Sequence, residues 1–133
     1  MIVAPTITAF YAALVGLLAA ALSANVIRNR VAQKVDDGDG GRAEMRMPIR
    51  AHGNLMEYAA LALILIGTAE AYGASKIAIY VLGTALIVAR LLSAWGLLHS
   101  VGPSFGRQAG AGLTILTLLA ASVLILLRLG GLA

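Results

Sequence analysis

The sequence predicts an all-α protein that is integral to a membrane and folds as a bundle of four helices. Hydrophobic residues make up 60% of the 133 residues and charged residues only 12%, whereas a soluble domain carries about 25% charged residues. Four apolar stretches each approach the roughly 20 residues that a helix needs to cross a bilayer. They are rich in Leu, Ala and Ile, which favours helices over the alternating strands of a membrane barrel. The length suits one domain, and we expect residues 1–133 to form it.

The four predicted helices follow one another with short connections. We expect them at about 6–27, 48–71, 77–98 and 104–127. Pro48 stands where the second helix should begin, and Gly102-Pro103 precede the fourth, as is typical of helix starts. The first apolar stretch runs uncharged from Met1 to Ile27. It is longer than the core of a signal peptide and has no basic leader, so we expect it to be retained as a helix.

The basic residues predict how the chain is oriented in the membrane. The first loop region and the third loop together carry Arg28, Arg30, Lys34, Arg42, Arg46, Arg50 and Arg107. Because Lys and Arg in short loops favour the cytoplasmic side, these two loops should lie inside and both termini outside. The net charge of +4 lies beside apolar segments, which is typical of membrane-flanking residues and argues against nucleic-acid binding.

The sequence offers little for metal or disulfide chemistry. It contains no cysteine, which excludes disulfides. The segment DDGDGG (36–41) lacks the ligand spacing and the closing glutamate of a calcium loop, so we expect a solvated turn and no metal. Four glycines within the later helices are interpreted as points of close helix contact. They are Gly83, Gly96, Gly110 and Gly112.

A polar stripe marks the start of the second helix. Arg50, Asn54, Glu57 and Tyr58 are spaced i, i+4, i+7 and i+8, which places them on one helical face. His52 lies about 200° round the helix from Arg50 and points elsewhere. Continuing the stripe along the helix gives Leu61, Ile64 and Leu65, which are apolar, so the polar face is confined to the expected cytoplasmic end.

Glu57 and Arg90 should reach a similar depth in the bilayer. Counted from the turn between Glu70 and Lys76, each lies roughly 20 Å inward at a rise of about 1.5 Å per residue. Charges at such a depth usually face the interior of a bundle or a watery cavity. Arg90 is therefore expected either to pair with Glu57 or to contact a ligand.

This combination of groups suits a small zwitterion that is rich in carboxylates. Arginine binds carboxylates through bidentate, charge-assisted hydrogen bonds, a buried glutamate suits an ammonium group, and an arginine near a thiol favours the thiolate. Glutathione carries two carboxylates, one amine and one thiol. A phosphorylated lipid headgroup would satisfy the same charges.

The residues that carry this chemistry also resemble a known family. VIRNR (26–30), GDGG (38–41), IRAHGNLMEY (49–58), ARLLSAWG (89–96) and Arg107 are similar to the MAPEG family, the membrane-associated proteins in eicosanoid and glutathione metabolism. The similarity is closest to its small bacterial branch and to the microsomal glutathione transferases, and it covers nearly the whole chain. Two features depart from the family: Ala59 and Ala60 stand where a proline is common, and Ser93 and Leu97 stand where several members have aromatic residues.

The resemblance implies a homotrimer in the inner membrane of a bacterium, in contact with membrane lipid, that binds glutathione between subunits near the cytoplasmic face. It implies transfer of the glutathione thiolate to hydrophobic electrophiles, as in detoxification, with peroxidase activity in some members. The positions that match glutathione-binding residues of the family are Arg30, Arg50, His52, Asn54, Glu57, Tyr58 and Arg90. Arg107 matches the arginine that stabilises the thiolate in some members.

Two other functions remain open. Compact four-helix exporters have a similar length, but they depend on a membrane-embedded acid in the first helix, and the predicted first helix here has no Asp or Glu. The second is a non-catalytic membrane subunit for binding or assembly that keeps the same fold.

Overall fold

The computed structural model describes residues 4–132, in which every regular element is a helix. The four helices are α1 (Thr6–Gln33), α2 (Ala43–Ala71), α3 (Lys76–His99) and α4 (Phe105–Leu129). By length and composition, each of them could cross a membrane. The predicted all-α membrane bundle is therefore confirmed.

Helices α2 and α3 form the centre of the bundle. They pack against each other, and both α1 and α4 pack against the two of them, whereas α1 and α4 make no contact within residues 4–132. Side chains such as Ile66, Ile79 and Leu86 are completely buried between the helices. Large apolar side chains such as Leu17 and Leu116 are exposed, as suits surfaces that face lipid.

Two helices extend further than the apolar pattern indicates. Helix α1 continues beyond Ile27 to Gln33, and α2 begins at Ala43 rather than at Pro48. A helix can continue past the bilayer once its side chains reach water, so the loss of apolar character does not end it. Pro48 lacks the N–H for one helical hydrogen bond. The burial of Met45, which is complete in the turn before Pro48, offsets this loss.

Three of the four predicted glycine contacts are confirmed. A β-carbon at Gly83 would overlap the ring of Tyr11. A β-carbon at Gly96 would meet the backbone of α4, and one at Gly110 would lie 2.7 Å from the carbonyl oxygen of Ala89 on α3. Gly112 was expected to behave in the same way, but no heavy atom lies within 4 Å of its β position. It faces away from the neighbouring helices.

Glu70 ties the end of α2 to the beginning of α1. Its carboxylate is buried and accepts hydrogen bonds from the backbone N–H of Ile7 (2.8 Å), the N–H of Thr8 (2.7 Å) and the hydroxyl of Thr8 (2.6 Å). Pro5, which precedes α1, makes no side-chain cap. The first turn of α1 is thus capped by a carboxylate from another helix, which satisfies donors that a helix start leaves unpaired.

Candidate functional site: a cleft between α2, α3 and α4

A cavity of about 450 Å³ opens at the end of the bundle that carries the first and third loops. Three helices and the third loop form its walls. The lining residues are Arg50, Asn54, Ser93, Leu97, Val101, Gly102, Pro103, Arg107, Gln108 and Ala111. The cavity therefore brings the basic start of α4 next to the polar stripe of α2.

Two smaller chambers adjoin this cavity. One, of about 210 Å³, shares Arg50 and Arg107 with it and adds Arg46 on the side of the loops. The other, of about 60 Å³, shares Asn54 and reaches deeper between α2 and α4, where it is lined by Tyr58, Arg90, Ala111, Thr114 and Ile115. We call the three chambers together the cleft. It runs from the loops into the part of the bundle that spans the membrane.

Arg50 and Arg107 present cationic groups to the cleft. Arg50 is exposed, and its guanidinium makes no ion pair within residues 4–132. Arg107 uses Nη1 to donate to the carbonyl oxygens of Val101 (3.2 Å) and Gly102 (2.8 Å), and its backbone N–H is capped by Ser104 Oγ at 3.4 Å. The Arg107 guanidinium is thus fixed at the wall of the cleft while its other donors remain available.

Arg90 is buried and is held by neutral oxygens from three helices. Only 2% of its surface is exposed. Nη1 donates to Asn54 Oδ1 (3.0 Å) and to the Asn54 carbonyl (3.3 Å). Nη2 donates to Ser93 Oγ (3.1 Å), to the Gly110 carbonyl (3.3 Å) and to the hydroxyl of Thr114. Its Nε has no partner in the described chain.

Of the two roles expected for Arg90, the pairing with Glu57 is not formed among residues 4–132. In the part of the protein that the structure describes, the one ion pair joins Arg46 to Asp39. Glu57 is exposed and lines none of the three chambers. Asn54, one turn before Glu57, reaches Arg90 instead, and the ring of Tyr58 lies 5.5 Å from the Arg90 guanidinium carbon, within the range of a cation–π contact.

Arg30 and His52 lie away from the cleft. Arg30 Nη1 donates to the carbonyls of Val35 (3.4 Å), Asp36 (3.3 Å) and Gly38 (3.1 Å), so it organises the first loop. His52 is partly exposed and lines none of the three chambers, in agreement with its predicted position off the polar stripe. Of the predicted site residues, the cleft thus contains Arg50, Asn54, Tyr58, Arg90 and Arg107.

The first loop is ordered by its own charges. Arg46 Nε lies 2.7 Å from Asp39 Oδ2, and this hydrogen bond, together with one from the Gly41 N–H, holds the pKa of the Asp39 carboxyl below its ordinary value. No group of three or more His, Asp or Glu within residues 4–132 is placed to hold a metal ion. Asp37 and Asp39 accept hydrogen bonds from the backbone N–H groups of Gly38 (2.8 Å) and Gly41 (2.9 Å) in the same loop.

Several residues that line the cleft were not predicted as site residues, among them Arg46 on α2 and two polar residues on α4. Gln108 lines the main cavity and Thr114 lines the deep chamber. For Thr114 the sequence did hold a signal, because Arg107, Ala111 and Thr114 are spaced i, i+4 and i+7 and so share one face of α4. The polar stripe of α2 therefore meets a second, weaker stripe.

Comparisons with known proteins agree with this architecture. The chain matches the model of the MAPEG family over residues 8–127. A segment of 93 residues is 37% identical to "Inner membrane protein YecN" of Escherichia coli strain K12, and this segment covers 70% of the present chain and 71% of that protein. The YecN protein of Escherichia coli O6:H1 matches with the same identity and coverage. With four membrane-length helices and a family match along nearly its whole length, the chain belongs to the MAPEG family.

Proposed function

We propose that this MAPEG protein is a membrane-bound glutathione transferase that conjugates the glutathione thiolate to apolar electrophiles. The observation that carries the proposal is the charge of the cleft. Arg46, Arg50, Arg90 and Arg107 line its chambers, and no Asp or Glu does. A cleft with cations and no carboxylate of its own suits a ligand that brings two carboxylates and a thiolate.

Four residues of the cleft have roles in this proposal. Arg50 clamps a carboxylate of glutathione, and Asn54 and Tyr58 form hydrogen bonds with its peptide groups. Arg107 lies beside the sulfur and stabilises the thiolate, while the thiol proton passes to water. The sulfur then forms a bond to an electrophilic carbon. The leaving group departs with its bonding pair or, in an addition, the resulting carbanion takes a proton from water.

The electrophile reaches the cleft from the bilayer. Ile115 lines the deep chamber and is 53% exposed, as is expected of a side chain at a lipid-facing opening. Tyr58 lies at the same chamber and is also exposed on one side. An apolar molecule dissolved in lipid can therefore approach the thiolate without crossing the loops.

The same proposal includes a homotrimer with the cleft near the cytoplasmic face. Glu57 supports the assembly, because a carboxylate on a surface that faces lipid is expensive unless it is covered. A neighbouring copy would cover it. Glu57, His52 and Arg30 would then contribute from the interface between copies.

Calorimetry tests the binding claim. Glutathione titrated into the detergent-purified protein should give heat at millimolar concentrations, and Arg50→Ala should raise the Kd at least tenfold because the carboxylate clamp is lost. Arg50→Lys keeps the charge without the bidentate geometry, so its Kd should lie between those of the wild type and Arg50→Ala. Arg28→Ala is a matched control, since within residues 4–132 the Arg28 guanidinium donates to Asn25 on its own helix and lines none of the three chambers. The absence of heat with the wild-type protein would contradict the proposal.

A conjugation assay separates the enzyme from a non-catalytic binding subunit. Wild-type protein with glutathione and chlorodinitrobenzene should form the thioether faster than glutathione alone at the same pH. A protein that binds glutathione in the calorimeter but gives only the uncatalysed rate with several electrophiles would be a binding subunit.

A further inference from the structure

The geometry points to Arg90 as a positioning residue that fixes the side-chain amide of Asn54, so that Asn54 can only donate hydrogen bonds to the ligand. The ligand group that meets Asn54 is then an acceptor, a carbonyl or carboxylate oxygen. This inference rests on the proposed binding of glutathione in the cleft.

The orientation of the Asn54 amide follows from what Arg90 can offer. A guanidinium carries only donors. Its Nη1 lies 3.0 Å from Asn54 Oδ1, and a flipped amide would bring the Asn54 NH₂ against that donor. Nη1 also donates to the Asn54 backbone carbonyl at 3.3 Å. Arg90 therefore holds this residue at two points and fixes which end of the amide faces it.

Arg90 itself is not free to turn toward a ligand. Its second nitrogen, Nη2, donates to Ser93 on α3 and to Gly110 and Thr114 on α4. Only 2% of the surface of Arg90 is exposed. The position of Asn54, a residue of α2, is thus set from α3 and α4. Arg90 acts on the ligand through Asn54.

The commitment of Oδ1 leaves the Asn54 Nδ2 for the cleft. Asn54 is partly exposed and lines both the main cavity and the deep chamber, and no other described residue accepts a hydrogen bond from its Nδ2. Arg50 and Arg107 line the main cavity with it and are donors as well. This stretch of the wall therefore selects a carboxylate or peptide carbonyl and disfavours the ammonium group of glutathione.

A double-mutant cycle tests whether Arg90 acts through Asn54. We expect Arg90→Gln to raise the Kd for glutathione about fivefold in the wild-type background, because the amide loses its fixed orientation. In the Asn54→Ala background the same substitution should change the Kd less than twofold. Equal effects in both backgrounds would overturn the inference, because Arg90 would then act on the ligand or on the fold without Asn54.

Asn54→Asp separates positioning from structural support. An aspartate keeps the acceptor for Arg90 and adds an ion pair, so the melting temperature in detergent should equal or exceed that of the wild type. It places a second acceptor oxygen where the Nδ2 stood, and the Kd should rise at least tenfold. Wild-type affinity in this variant would show that no donor is needed there, and the inference would fail.

A ligand-free measurement keeps this test apart from the test of the proposed function. The chain has three asparagines, Asn25, Asn29 and Asn54, so selective ¹⁵N labelling gives three side-chain amides that Asn54→Ala assigns. Arg90→Gln should shift the Asn54 amide signals more than those of the other two. An unmoved Asn54 signal would overturn the positioning role, whereas absence of glutathione heat with a shifted signal would overturn only the glutathione proposal.

Discussion

The three arginines that line the main cavity or the deep chamber differ in how much of their hydrogen-bonding capacity the protein itself uses. Arg50 uses none within residues 4–132, Arg107 uses one nitrogen on loop carbonyls, and Arg90 uses both terminal nitrogens on oxygens of the bundle. Arg50 and Arg107 are therefore suited to bind a ligand. Arg90 is suited to hold the wall in place.

Arg107→Ala should reduce the thiolate fraction of bound glutathione. A nearby cation stabilises the thiolate, so its loss should weaken the ultraviolet thiolate band near neutral pH and move the midpoint of that band to higher pH. Arg107→Lys keeps the charge and should retain most of the band. Arg28→Ala removes an arginine that lines none of the three chambers and should leave the midpoint in place. An unchanged band in Arg107→Ala would reject this role.

Glu70→Gln should weaken the attachment of α1 to α2. The glutamine can still accept a hydrogen bond, but it loses the negative charge at the helix start and brings two donors to a place that already has three. We expect a loss of about 1–3 kcal/mol in the free energy of unfolding, measured by denaturant titration in detergent. Glu44→Gln, an exposed residue in the first turn of α2, is the control and should change stability by less than about 0.5 kcal/mol. A loss of the same size in both variants would contradict the role of Glu70.

At the scale of the elements, composition was enough to predict the helices but not all of their ends. The bilayer imposes a length and an apolar character that are visible in the sequence, and α3 and α4 begin within one residue of the expected positions. Helix α2 begins at Ala43 rather than at Pro48 because the additional turn buries Met45 completely. This burial depends on the tertiary structure and cannot be predicted from the position of a proline. The cap of α1 by Glu70 was equally invisible, since its partners lie 62 and 63 residues away.

Gly110 and Gly112 provide a matched pair for the packing of α3 against α4. A β-carbon at Gly110 would press on the Ala89 carbonyl and the Ser93 backbone N–H, each 2.7 Å away, so Gly110→Ala should cost about 1–3 kcal/mol of stability through overpacking. Gly112→Ala meets no atom within 4 Å and should stabilise the helix by roughly 0.5–1 kcal/mol. Thermal unfolding of the two variants in the same detergent makes the comparison. Equal stabilities would show that the close approach at Gly110 is not needed.

At the scale of the whole molecule, the sequence predicted the polar end of the cleft better than its interior. Arg50, Asn54, Tyr58 and Arg107 are recognisable because polar groups are rare beside apolar segments. The surroundings of Arg90 cannot be recognised in the same way, because a backbone carbonyl such as that of Gly110 has no sequence signature. Pairing of Arg90 with Glu57 was one of two expected roles, and the fold surrounds the Arg90 guanidinium with neutral oxygens instead.

The orientation of the molecule in the membrane stays a prediction with a direct test. A green fluorescent protein fused to the C-terminus should stay dark and an alkaline phosphatase fused there should be active, because the positive loops favour the opposite side. Fusions placed directly after His99, at the end of α3, should give the reverse result. A fluorescent C-terminal fusion would overturn the predicted orientation.

The hydrogen bonds of Arg90 also affect how the protein is made. Helices leave the ribosome in chain order, so α3 emerges before α4. Of the acceptors that surround Arg90, those on Asn54 and Ser93 lie on α2 and α3, whereas those of Gly110 and Thr114 belong to the last helix. The hydrogen bonds of Arg90 are therefore completed only when α4 packs against α3, and a chain that stops after α3 would lack two of the acceptors that Nη2 uses.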